Sequence, residues 1–221
     1  MLFNSYLFIF LFLPIVLCGF ELLRNKPKMA IAWIIAASFF YYSWWKPAFL
    51  LLLLGSISIN LIFGKMLLAQ CNQHLLKARL VLTLGIIFNL TLLLYFKYAG
   101  FLVANINEMF GSGLTVPHIL LPLGISFITF QKIAFLVDAY RGKVKHFTVL
   151  NYIFFVTFFP QLIAGPIVHH SEIMPQLSNA LRRDFKADFA VGSGIFIVGL
   201  FKKVVIADCL AIYADAGYAM V

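Results

Sequence analysis

The chain has 221 residues, 63% of them hydrophobic and 11% charged, where an ordinary soluble domain carries about 45–50% and about 25%. A water-soluble globule is excluded. The net charge of +9 comes from Lys and Arg dispersed between apolar runs, as membrane topology and anionic lipid demand, so nucleic acid is not an expected partner.

Six segments, near Leu2–Phe20, Met29–Trp45, Ala48–Phe63, Leu80–Phe96, Ile119–Val137 and Phe147–Val168, approach the roughly 20 apolar residues that cross about 30 Å of hydrocarbon as helix. Runs such as Phe49–Leu54 do not alternate as the strands of a membrane barrel do. The expected fold is therefore all-α, a polytopic membrane bundle, with no mark of a second domain or an internal repeat in residues 1–221.

The first segment carries Cys18 in a context that resembles a lipoprotein signal, but no Lys or Arg precedes it, so a plain first transmembrane helix is expected. Cys18, Cys71 and Cys209 are scattered and form no C-x-x-C, which offers neither metal nor redox chemistry. The second segment ends in Tyr41, Tyr42, Trp44 and Trp45 beside Lys46-Pro47, the composition of a helix end at headgroup level. Loop by loop, Arg24, Lys26 and Lys28 are followed by Lys46 alone. Lys65, Lys77 and Arg79 are followed by Lys97 alone, and then come Arg141, Lys143 and Lys145. This alternation puts the basic loops in the cytoplasm and the N-terminus outside.

Lys97–His118, with Asn105, Asn107 and Glu108, is too polar to cross lipid and is expected to lie along the outer surface. In the fifth segment Gly124, Gln131 and Asp138 recur every seven residues, near one buried face of a helix opened by Pro122. Lys132 is expected to snorkel to the headgroups, with a substrate contact as the alternative. Asp138 and Arg141 are placed to pair one turn apart.

The sixth segment cannot be a straight helix, because Pro160, Gly165 and Pro166 fall in its second half. If it crossed, Arg182, Arg183 and Lys186 would lie outside, against the charge bias; a broken or re-entrant segment removes the conflict. Such backbone is tolerated only inside protein or along a water-filled cavity. The candidate cavity residues are accordingly Gln131, Lys132, Pro160, Gly165, Pro166, His169 and His170. The two histidines are adjacent, so they point about 100° apart and suit a polar cavity lining better than one metal. His74, His118 and His146 read as solvated loop residues. Lys202 and Lys203 interrupt the run Gly194–Ile212, and Asp208 follows at spacings of six and five, which suit no α-helical pair.

No P-loop, G-x-G-x-x-G or G-x-S-x-G is present. The strings Phe40–Pro47, Tyr95–Tyr98, Leu121–Phe127, Asp138–Gly142, Phe159–Pro166 and Gly199–Asp208 together resemble, in order, the membrane-bound O-acyltransferase family, in its alginate O-acetylation branch. The resemblance runs along essentially the whole chain and corresponds to the N-terminal half of the family's domain. It implies an acyl relay in a bacterial inner membrane. An acyl donor such as acetyl-CoA would be used from the cytoplasm and the acyl group passed to a polysaccharide acceptor outside, alginate or peptidoglycan, often through an extracytoplasmic partner acyltransferase. The family's signature histidine, in a Trp-His-Gly-like context, would fall beyond Val221. No catalytic residue is therefore carried over, and the 221 residues alone are expected to be inactive. The alternatives are a transporter or channel built on broken helices and, within the family, D-alanyl transfer to teichoic acid.

Overall fold

The structure is a computed structural model describing residues 1–70, 75–115, 119–144, 146–163, 165, 168–181 and 185–219. Among these, all regular structure is helical. In chain order the helices are α1 (Leu13–Leu23, entered through a π turn at Phe8–Phe12), α2 (Pro27–Ser43), α3 (Pro47–Gln70), α4 (Leu75–Leu93), α5 (Ala99–Phe110), α6 (Ile125–Tyr140), α7 (Val149–Thr157), α8 (Phe159–Leu162), α9 (His170–Ala180), α10 (Phe185–Phe201) and α11 (Asp208–Tyr218). Two helical runs are long and apolar enough to cross a bilayer, Pro47–Gln70 and the 36-residue run Leu75–Phe110.

The second of these takes in the first part of Lys97–His118. A π turn at Leu94–Tyr98 joins α4 to α5, so the chain stays helical to Phe110. The polar residues Asn105, Asn107 and Glu108 ride on a helix with no buried residue. At 1.5 Å per residue the run is about 54 Å long, well beyond the hydrocarbon thickness.

The chain forms two compact units, Ile31–Leu177 and the paired terminal stretches Met1–Ala30 with Ser178–Val221. In the terminal unit, Glu21 and Arg24 pair at 2.9 Å where α1 ends. Lys203 and Asp208 also pair, against the expectation drawn from their spacing. The backbone between them is a π turn, Lys202–Ala207, whose i→i+5 bonding brings residues five apart onto one face.

In the central unit, α3, α4 and α6 pack closely because small residues let their backbones approach. A Cβ added to Gly64 would sit 2.9 Å from Phe135 Cε1, and one added to Gly85 would sit 2.7 Å from Leu136 Cδ1. Phe135 is the centre of an aromatic cluster, 5.1 Å from Phe147 and 4.6 Å from Tyr152 between ring centroids. Across α3 and α4, Asn60 and Asn89 exchange amide hydrogen bonds at 3.2 and 2.6 Å. Each also donates to its own helix, to the Ser56 carbonyl at 2.9 Å and the Gly85 carbonyl at 2.8 Å. Asn60→Leu leaves Asn89 without its partner, and the expected loss of stability is about 0.6–1.7 kcal/mol. Adding Asn89→Leu should recover part of it, a non-additivity that thermal unfolding of the four variants in detergent would measure.

Candidate functional site

The sixth apolar segment is broken, two residues earlier than its prolines suggest. α7 is capped by Thr148, whose Oγ1 accepts from Asn151 N at 3.1 Å. It stops at Thr157 because Phe158 leaves helical geometry, with φ −53° and ψ 107°. The chain then makes the single turn α8, with Pro160 in its first turn where a missing N–H costs nothing. That turn is capped from elsewhere in the unit. Ser38 Oγ on α2 donates to the Ile34 carbonyl at 2.8 Å and accepts from Phe159 N at 3.1 Å. Between Leu162 and the start of α9 at His170, the described residues Ile163, Gly165, Val168 and His169 are non-helical.

The tight glycine of this region is Gly124, not Gly165. Gly165 is exposed, and a Cβ there would meet nothing nearer than 3.9 Å. Gly165 is thus open among the described residues, and Pro166 lies outside them. Gly124 begins α6 in the left-handed region, φ +65°, and a Cβ there would sit 2.5 Å from the Leu162 carbonyl oxygen. The end of the break therefore presses on the start of α6 through a position where only hydrogen fits.

From Gly124 the seven-residue repeat does run along a buried face. Gln131 donates through Nε2 to the Phe155 carbonyl at 2.7 Å, which ties α6 to α7, while its Oε1 is buried without a partner. Asp138, 2% exposed, does not pair with Arg141. Its Oδ2 lies 2.5 Å from His169 Nδ1 and its Oδ1 lies 3.8 Å from Lys143 Nζ. Lys143 comes to it because α6 ends in a turn in which the Lys143 and Val144 N–H groups donate to the Asp138 carbonyl at 3.0 and 3.4 Å. His169 is in turn placed by Glu172, whose Oε2 accepts from His169 N at 3.4 Å as α9 begins. With Nδ1–H directed at the carboxylate, the imidazole is fixed in orientation. The side chain is 42% exposed, so part of the ring is reachable from outside the fold.

His170 points the other way, into the aromatic cluster, edge-on to Phe135 and Phe155 at 5.4 Å each. Its Nε2 and the Tyr152 hydroxyl are both buried without a partner. Burial holds the His170 pKa below its ordinary 6.5, against the opposing pull of the Asp138 charge. A neutral buried histidine makes the unfolded chain the better proton binder once the pH drops below about 6.5, so the fold loses stability on that side and is unaffected above it. His170→Phe, which keeps the aromatic packing, should flatten the fall in unfolding temperature between about pH 7 and about pH 5.5.

Lys132 contradicts its expectation most sharply. It does not snorkel: it is 3% exposed, and its Nζ donates to Ser56 Oγ on α3. Gln131 and Lys132 thus pack inside the bundle on different sides of α6, and among the described sequence candidates Gln131, His169 and His170 gather along the second half of α6. Pro160 and Gly165 are exposed. Of the solvated histidines, His146 is exposed as expected, while His74 and His118 lie outside the described residues. The polar partners Ser38, Ser56, Asn60, Asn89 and Tyr152 went unremarked in the sequence. Polar residues inside apolar spans are the signal that could have found them. Among the described residues no three His, Cys, Asp or Glu side chains are grouped as a metal would require.

A helical membrane bundle with a helix break walled by buried polar side chains is the class defined by this geometry, and comparison with known proteins places it further. The model of the membrane-bound O-acyltransferase family matches residues 86–221; the chain belongs to that family. It is 41% identical, along 99% of its length, to a peptidoglycan O-acetyltransferase of Helicobacter pylori, of which it covers 46%. It is 36% identical to a probable alginate O-acetylase of Pseudomonas aeruginosa and 37% to one of Pseudomonas syringae, in each case along its whole length and covering 42% of the relative. The chain thus spans less than half the length of the curated relatives it matches. No solved structure matches it at comparable stringency.

Proposed function

We propose that the protein is a bacterial inner-membrane O-acyltransferase that passes an acetyl group from a cytoplasmic donor such as acetyl-CoA towards an extracytoplasmic polysaccharide, with an extracytoplasmic acyltransferase as partner. The observation that carries this reading is the 41% identity to a peptidoglycan O-acetyltransferase along 99% of the chain. The lower identity to the alginate O-acetylases, 36 and 37%, favours peptidoglycan as the acceptor. The exposed face of His169 and the basic Arg141–Lys143 turn, both at the C-terminal end of α6, are suited to an entry for an anionic donor on the cytoplasmic side.

The test is chemical. Cells lacking their own polysaccharide O-acetylation and expressing the full-length protein should gain base-labile acetate on purified peptidoglycan. Acetate on alginate instead would reassign the acceptor, and its absence from both polymers, with the protein folded in the membrane, would overturn the reading. The orientation is tested through Cys71, which falls in a cytoplasmic loop if the N-terminus is outside. In a variant carrying Cys18→Ser and Cys209→Ser, an impermeant thiol reagent added to intact cells should label Cys71 only after permeabilisation; labelling from outside reverses the topology.

A further inference from the structure

The helical run Leu75–Phe110 outlasts the membrane. Tyr42, Leu53 and Leu92 line one small space in the bundle, and from that shared level about six residues of helix, about 9 Å, lead back to Pro47 on α3 and on to Tyr98 at the end of the π turn. Both points carry the residues of a headgroup belt. At one, Trp44 and Trp45 are exposed beside Lys46; at the other, Tyr95 and Tyr98 are exposed and Lys97 Nζ lies 5.3 Å from the Tyr98 ring centroid. α5, 12 residues and about 18 Å long, therefore stands beyond the lipid boundary. It is amphipathic without being buried. Leu102, Ile106, Met109 and Phe110 follow the i, i+4, i+7, i+8 spacing of one face and are 41–76% exposed, whereas Ala104, Asn107 and Glu108 lie on the other face.

Water is a poor cover for such a ridge, and the bilayer surface is a poor one for this helix. Interfacial helices carry Lys and Arg on their polar face, whereas the one charged residue of α5 is Glu108, which anionic headgroups repel. The end of the ridge is also held in shape. Asn107 Nδ2 donates to the Leu114 carbonyl at 2.6 Å, and its Oδ1 accepts from Ser112 Oγ at 2.7 Å and from Leu114 N at 2.8 Å. These bonds fold the chain back after Gly111 and stiffen the surface before a partner arrives, which lowers the cost of docking. We propose that the Leu102–Phe110 ridge is the docking surface for the extracytoplasmic acyltransferase, which takes α5 into an apolar groove with basic residues on the rim that faces Glu108. That partner, and the placing of this end of the run outside the cytoplasm, rest on the reading above. A protein held there stands within about 18 Å of the outer lipid boundary, on the side to which the acetyl group is delivered.

Photo-crosslinking in cells that make the full-length protein tests the surface. With p-benzoylphenylalanine in place of Phe110, the adduct should contain the extracytoplasmic acyltransferase, identified by mass spectrometry. With the same probe in place of Ile87, exposed on α4 within the lipid, the acyltransferase should be absent. Leu102→Asp combined with Met109→Asp should lower the acyltransferase co-purified with the protein at least about tenfold, and Ala104→Asp, on the opposite face, should leave it unchanged. No residue of α5 is buried, so these changes leave the bundle folded. A Phe110 adduct that lacks the acyltransferase, whether it holds lipid, the protein's own chain or another protein, overturns the docking surface, as does co-purification untouched by the double substitution. Base-labile acetate on polysaccharide from the same cells separates the two failures. Acetate present without the acyltransferase at Phe110 overturns the docking alone, whereas acetate absent from every polymer overturns the reading and the docking with it.

Discussion

Gly124→Ala is expected to destabilise the protein by about 3 kcal/mol or more. A residue with a side chain pays about 1–3 kcal/mol to hold a left-handed backbone, and here the new methyl would also meet the Leu162 carbonyl oxygen at 2.5 Å. That oxygen belongs to backbone at the end of α8, so relief requires α8 and the start of α6 to separate, not merely a rotamer change. Unfolding in detergent should show a midpoint lower by about 6–12 °C on the usual size scaling. Gly165→Ala, open on all sides beyond 3.9 Å, should stay within about 0.5 kcal/mol of the parent. Comparable losses at the two glycines would mean that α8 does not press on α6.

Asp138→Ala is expected to cost about 1.5–3 kcal/mol, the range for hydrogen bonds to a charged group, with the lower half favoured because His169 is partly exposed to solvent. The loss should be local before it is global. Without the carboxylate, no side chain among the described residues holds the His169 ring, so the chain between Leu162 and His170 should become the first site of proteolytic cleavage. Asp138→Asn keeps an acceptor for Nδ1–H and should lie between the parent and Asp138→Ala. An unchanged cleavage pattern in Asp138→Ala would show that the Asp138–His169 contact does not secure the break.

The apolar runs made most helices legible in the sequence, and the prolines made the break legible. What stayed hidden has specific physical causes. Asn105, Asn107 and Glu108 suggest a segment along the surface, but their polarity says nothing of backbone geometry, and they ride on the helical continuation of α4. The Gly165-Pro166 string drew attention by its residue types, but crowding at a glycine depends on which backbone passes in front of it, and Leu162 passes in front of Gly124. Gln131 and Asp138 were placed correctly on a buried face by their spacing. Their partners, Phe155 and His169, stand 24 and 31 residues away, a distance at which local periodicity says nothing. Lys132 differs for a related reason: a long basic side chain in an apolar span ordinarily reaches for water, but Lys132 stands mid-way along α6, where its ammonium meets Ser56 on α3.

The π turn at Leu94–Tyr98 has a consequence for how the long helix is used. Buried positions on α4 follow Ala78, Val81, Gly85, Asn89 and Leu93, a stripe of regular α-helical pitch, and none is buried on α5. One additional residue in a turn advances the phase by about 100°. The run from Leu75 to Phe110 is thus a single rod in length and two rods in azimuth: the half that serves the bundle is decoupled from the half beyond Tyr98, whose apolar ridge of Phe101, Leu102, Met109 and Phe110 faces a different compass direction and is free to meet different neighbours.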